Sequence, residues 1–177
     1  MLVENLENKP EKSKLIKIIA PILIIIAIAG IYIIKNNQEK GAIDNADFAL
    51  EATAIDLEHL KSYGLPIIID FGADACVPCK EMEPVLKELN EELRGKVIVK
   101  FVDVWKNREA AADFPLEVIP TQFFFDKHGN PFVPKDPKAM NMRMYSTRDA
   151  NKHVYTAHQG GMTKEQIMAV LKEMGVE

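Results

Sequence analysis

From about residue 46 onward the chain alternates two hydrophobic patterns. Continuous apolar runs of strand length occur at 67–71 (IIIDF), 97–104 (VIVKFVDV) and 121–126 (TQFFFD). Such runs, β-branched or aromatic and bounded by turn formers, suit strands covered on both faces. Between them lie stretches at helical spacing. The longest is predicted from Val77 to Arg94, with Met82, Val85, Leu86, Leu89 and Leu93 on one face. Lys80, Glu81, Lys87, Glu88, Glu91 and Glu92 cover much of the rest, Gly95 ends the helix and Pro84 should bend it. Shorter helices are predicted at Ile55–Tyr63 and Asn107–Asp113, a first strand at Phe48–Thr53 and a last one near Val154–His158. Thr163 and Gln166 fit a capping box opening a final helix, with Ile167, Val170, Leu171 and Met174 on its apolar face. The order βαβαβαββα implies an α/β fold with a mixed sheet flanked by helices.

Two segments fall outside this alternation. Residues 131–152 contain Pro131, Pro134 and Pro137 and read as an insertion. Within it, residues 140–145 alternate, so a strand there would put Met140, Met142 and Met144 on one face and Asn141, Arg143 and Tyr145 on the other. The second segment is the apolar run at 18–34 (IIAPILIIIAIAGIYII), bracketed by Lys17 and Lys35. As a helix it spans roughly 26 Å, against a hydrocarbon core of about 30 Å, and the two lysines can snorkel. A buried core helix is the plainer reading, but this run is apolar on every face. A cleaved signal peptide is the sharper rival, because Ala27-Ile28-Ala29 fits a small-x-small site. Cleavage there would leave the apolar end GIYII, which favours an uncleaved transmembrane anchor. Lys9, Lys12, Lys14 and Lys17 precede the run, whereas Lys35 and Lys40 follow it. The expected organisation is a cytoplasmic segment at 1–17, a single span at 18–34 in the cell membrane's lipid bilayer, a tether at 35–45 and an extracytoplasmic domain at 46–177.

The 177 residues are 47% hydrophobic and 27% charged, with a net charge of −4. Lys and Arg are dispersed, so no basic patch points to a nucleic-acid partner. The cysteine count changes the picture more. The chain has two cysteines, Cys76 and Cys79. A structural disulfide gains most by closing a long loop, and this pair closes almost none. The pair therefore needs a chemical explanation. Cys76 falls just after an apolar strand and Cys79 in the first turn of the long helix. A helix start carries partial positive charge and unpaired N–H groups, which favour a thiolate over the free thiol with its pKa near about 8.5. Cys76 should be the exposed nucleophile and Cys79 the buried thiol that resolves a mixed disulfide. Pro78 between them is tolerated at a helix start and withholds one N–H.

Two metal readings compete with this one. Half of a zinc site would need histidine ligands, and of His59, His128, His153 and His158 only the last two have suitable spacing. They fall on a predicted strand, where they would point apart. Copper(I) is the other candidate, since the three methionines and His158 are soft enough ligands. Methionines packing one side of an inserted strand explain the same pattern. No resident metal or cofactor is expected, the cysteine pair being itself the redox-active group.

The segment IIIDFGADACVPCKEMEPVLKEL resembles the active-site segment of thioredoxins: apolar strand, Asp, Phe, CxPCK and then a proline. Val118-Ile119-Pro120-Thr121 resembles the family's Ile-Pro-Thr loop, and HQGGMTKEQ resembles its last strand and the turn into the final helix. The resemblance covers residues 47–177 apart from the insertion. It implies a thioredoxin-like fold and a thiol–disulfide oxidoreductase. Cys76 then matches the attacking cysteine, Cys79 the resolving one, Pro120 a cis-proline beside them and Asp70 a buried carboxylate beneath them. Ile119, Val77, Pro78 and Gly160 match positions that contact substrate. Gly72 and Ala75 stand where aromatic residues are common and Val77 where Gly is usual, so a contact surface with different partners is expected. The Val77 choice resembles anchored extracytoplasmic reductases. That resemblance implies protein disulfides as substrates and a membrane thiol-transferring protein as electron donor. An oxidant or isomerase of the same fold is the enzymatic alternative.

Overall fold

The computed structural model describes residues 46–176. The apolar run at 18–34 lies outside them. Among the described residues no helix is long and apolar enough to cross a membrane.

Five strands form one mixed sheet: β1 (Ile67–Gly72), β2 (Ile98–Asp103), β3 (Thr121–Phe125), β4 (Met142–Ser146) and β5 (His153–Gln159), in the order β2-β1-β3-β5-β4. β1 and β2 are parallel, and the other pairings are antiparallel. The helices are α1 (Leu57–Lys61), α2 (Val77–Glu92) and α3 (Lys164–Glu173). Parallel β1 and β2 need a crossover connection, and α2 supplies it.

The sheet separates two apolar clusters, and strand alternation decides which residue joins which. Ile68, Val99, Phe124 and Met142 face α2 and α3, meeting Met82, Leu86, Leu89, Ile167, Val170 and Leu171. Ile67, Ile69, Phe71, Ile98, Phe123 and Phe125 face the other way, toward Leu60 and Phe114. Both faces are covered, which is why β1 and β3 are buried along their whole length. Each fully buried large side chain contributes roughly 1.5–3 kcal/mol.

Several expectations are corrected. Phe48–Thr53 is not a strand: a 3-10 turn covers Ala46–Phe48, and one bridge pairs Glu51 with Phe101. Leu50 and Ala52 exchange backbone hydrogen bonds with Phe101, and the turn is held from the side by the buried Asn90 amide donating to the Phe48 carbonyl and by Lys100 donating to those of Ala46 and Ala49. α1 is shorter than the 55–63 periodicity, because the Asp56 side chain accepts from the His59 N–H and starts the helix there. The 107–113 helix is reduced to a 3-10 turn at Arg108–Ala111. The 131–152 insertion contributes β4, which pairs with β5 and forms a sheet edge. Its methionines divide: Met140 and Met142 pack against the α2–α3 cluster, whereas Met144 is exposed. Asn141, just before β4, has φ of +51°. The capping box of Thr163 and Gln166 is formed.

Candidate functional site

Cys76 is the N-cap of α2, with extended backbone, and Val77 and Pro78 open the helix. The cysteines are joined in a disulfide, their Cα atoms 5.3 Å apart. Cys76 is half-buried, while Cys79 is 3% exposed. The first turn directs its unpaired N–H groups toward the disulfide end, except at Pro78, which has none.

The Cys76 loop is held from below by Asp103 at the end of β2. Its carboxylate accepts from the Asp74 N–H at 3.1 Å, the Trp105 N–H at 2.9 Å and the Lys106 N–H at 3.1 Å. Burial pushes this carboxyl up, but the three backbone donors and the Lys106 ammonium outweigh it and hold it below the usual range. Lys106 also pairs with Asp74. The loops leaving β1 and β2 are thereby tied to each other.

Gly72 corrects an expectation. It is buried, not part of a contact surface. A Cβ there would come within 2.8 Å of the Phe101 ring and 3.3 Å of both Cβ and Sγ of Cys79. Glycine lets the helix carrying Cys79 lie directly on the sheet. Ala75 and Val77 are exposed, as are Trp105 and Val118.

The loop before β3 supplies the other side. The Ile119–Pro120 bond is cis. The Thr121 hydroxyl donates to the Val118 carbonyl at 2.8 Å. The Gly160 N–H donates to the Pro120 carbonyl at 2.8 Å, and Gly160 has φ of +101°, a conformation that glycine adopts without strain. Its N–H is therefore already committed within the fold. Ile119 and Pro78 keep exposed surface.

Asp70 is fully buried on the α2 side of β1. Its Oδ1 accepts from Gln122 Nε2 at 2.7 Å, and no described residue partners Oδ2. Burial raises its pKa from 3.8 to about 7, with the Gln122 hydrogen bond pulling the other way. Gln122 Oε1 in turn lies 3.2 Å from His158 Nδ1. Neither Gln122 nor the partnership of His158 was legible as part of the site. The available signal was a lone amide in the strand TQFFF, since a buried polar side chain demands a partner.

Among the described residues no group of three or more His, Cys, Asp or Glu is placed to hold a metal ion. The β4–β5 register shifts between Tyr145 and Ser146, opposite Tyr155 and His153, so simple strand alternation does not relate His153 to His158, and the two rings have different partners, Gln122 being that of His158. His153 bonds to the Tyr155 carbonyl and the Thr156 hydroxyl.

These features define a class: a dithiol–disulfide couple at the start of a helix, with the first cysteine partly exposed, the second enclosed and a raised-pKa carboxyl in the strand that leads to it. Comparison with known proteins agrees. Residues 50–143 match the Thioredoxin family, and the chain belongs to it. Thioredoxin 1 of Chlorobaculum tepidum is 41% identical over 66 residues, covering 37% of this chain and 65% of that protein. Thioredoxin C-2 of Corynebacterium nephridii is 34% identical over 83 residues, covering 47% of this chain and 71% of its own length. The crystal structure of chloroplastic thioredoxin z matches 73% of this chain and 96% of that one, at 20% identity and a TM-score of 0.48.

Proposed function

We propose that this chain is a thiol–disulfide oxidoreductase that reduces disulfides of extracytoplasmic proteins through Cys76 and Cys79. The observation that carries the reading is the asymmetry of the pair: Cys76 half-exposed at the helix start, Cys79 at 3% exposure behind it. In the reduced protein the Cys76 thiolate attacks one sulfur of a substrate disulfide. That S–S bond breaks, a mixed disulfide forms on Cys76, and one substrate thiolate leaves. Cys79 then gives up its proton and attacks Cys76 Sγ. The mixed disulfide breaks, the second substrate thiolate leaves, and the Cys76–Cys79 disulfide forms. Two electrons have passed to the substrate. Asp70, with its pKa near 7, is the base in the strand beneath, able to take the Cys79 proton through water near neutral pH. In this reading Val77, Pro78, Ile119 and Gly160 contact the substrate, Ile119 offering backbone groups to a substrate strand.

The apolar run at 18–34 and its lysine flanks support a single-pass anchor that leaves the domain outside the cytoplasm. Placed there, the pair needs electrons carried across the membrane, hence a membrane protein with its own exchanging thiols as donor. No resident cofactor enters this scheme.

Cys79→Ser tests the exchange, because it stops the sequence at the mixed disulfide. Covalent adducts on Cys76 that thiol reductants release are the expected result; an adduct-free Cys76 would overturn the reading. The equilibrium potential of the pair tests the direction. Family members span about −270 to −120 mV, and a value near the oxidising end would identify an oxidant or isomerase instead.

A further inference from the structure

One rung of the sheet carries the polar groups of the α2–α3 face in a row. Across it, in strand order, stand Phe101, Asp70, Gln122, His158 and Met142, each paired with the next. The three polar side chains are buried, and hydrogen bonds join them in sequence. Where Asp70 is ionised, chemistry fixes the direction of those bonds. An ionised Asp70 only accepts, so Gln122 must turn its NH2 toward it and its carbonyl toward His158. His158 must then donate from Nδ1. Without that donor the Gln122 carbonyl is left buried and unpaired, and the amide loses what holds its NH2 on Asp70.

The far end of the row is not sealed. His158 lines a cavity of about 270 Å³ between α3 and the loop before β4. Gln122 and Met142 flank His158 on the neighbouring strands, and Met140, Asn141, Met162 and Gln166 line the cavity with it. None of these is charged or titratable, and hydrogen bonds through Gln122 connect His158 to Asp70. Burial lowers the His158 pKa, with a Gly160 backbone hydrogen bond opposing it.

We propose that His158, acting through Gln122, is a positioning residue for Asp70: its donor sets the amide, and its protonation favours the Asp70 carboxylate. This rests on Asp70 as the base of the exchange reaction. It makes the chemistry at the cysteines respond to a histidine reached from a cavity that no cysteine lines. The coupling passes through hydrogen bonds and charge; no proton needs to cross the amide.

The test is the titration of the Asp70 carboxyl, followed by its ¹³C resonance in the oxidised full-length protein, so that it does not depend on turnover. Three proteins are compared: wild type, His158→Phe and His158→Asn. Asn is informative because its Nδ2 superposes on histidine Nδ1 and keeps the donor without a titrating ring. The expected result is an Asp70 midpoint raised by at least half a pH unit in His158→Phe and restored in His158→Asn. The wild type alone should show broadening where His158 titrates. Should His158→Phe fail to fold, the wild type and His158→Asn decide, by the presence and loss of that broadening. Superimposable wild-type and His158→Asn curves with no upward shift in His158→Phe would overturn the proposal. Normal exchange rates alongside such curves would leave the oxidoreductase reading intact. A shifted Asp70 with no change in the pH profile of disulfide reduction would instead remove Asp70 from the mechanism.

Discussion

Replacing Asp70 by Asn removes a carboxyl whose ionisation the fold opposes. Its pKa is near 7 in the folded protein and about 3.8 in an unfolded chain. Between those values the folded chain holds a proton that the unfolded chain has released. The unfolded state binds fewer protons there, so wild-type stability falls as pH rises and levels off above about 7. At roughly 1.4 kcal/mol for each tenfold in proton affinity, the gap amounts to about 4 kcal/mol. Asparagine carries none of this. It keeps an acceptor for Gln122 Nε2, but its own NH2 takes the place of the unpartnered Oδ2, at a cost of about 1–3 kcal/mol at every pH. The informative quantity is therefore the pH-dependent part of the difference. Chemical denaturation of both oxidised proteins at half-unit steps from pH 4 to 8.5 measures it. The stability of Asp70→Asn relative to wild type should rise by up to about 4 kcal/mol across that range, mostly between pH 5 and 7.5. A difference that stays constant from pH 4 to 8.5 would refute the argument that burial, not a specific contact, governs this carboxyl.

Other positions give independent checks. Gly72→Ala forces a methyl against Phe101 and Cys79 and should destabilise the protein by about 1–3 kcal/mol in denaturant unfolding. Asp103→Asn weakens the bonds to three backbone N–H groups and should cost about 1–3 kcal/mol at pH 7. Because Asp103 is held below its ordinary pKa, that contribution exists above about pH 4 and fades as pH falls further, so the two unfolding curves should converge in acid. Thr163→Ala breaks the capping box of α3 and should lower stability by about 1 kcal/mol, with Thr163→Ser recovering most of it.

What the sequence revealed followed from how each signal is encoded. The runs at 67–71 and 97–104 and the stripe along 77–94 became β1, β2 and α2 because burial on both faces, or on one helical face, leaves a period that survives in one dimension. The cysteine pair was legible because its spacing and its place at a helix start are both local. Phe48–Thr53 misled for the opposite reason: Phe48 is buried and Leu50 and Ala52 are partly so, but the segment is placed by distant residues, the Asn90 amide 42 positions from Phe48 and the Lys100 ammonium 51 from Ala49. The role of Gly72 depends on a ring that arrives from β2. The Asp70–Gln122–His158 row joins three strands, and no local pattern marks which amide meets which carboxyl. Residues 140–145 fell between these cases: their alternation forecast a strand, while its place at the sheet edge depended on pairing with β5.

The central claim is that Cys76 attacks and Cys79 resolves. Its most direct measurement is the reduction of a protein disulfide such as that of insulin by the reduced full-length protein, compared with Cys76→Ser and Cys79→Ser. The wild type should turn over, Cys76→Ser should not react at all, and Cys79→Ser should form a single stoichiometric mixed disulfide with no turnover. A mixed disulfide that forms on Cys79 in Cys76→Ser at the wild-type rate would contradict it.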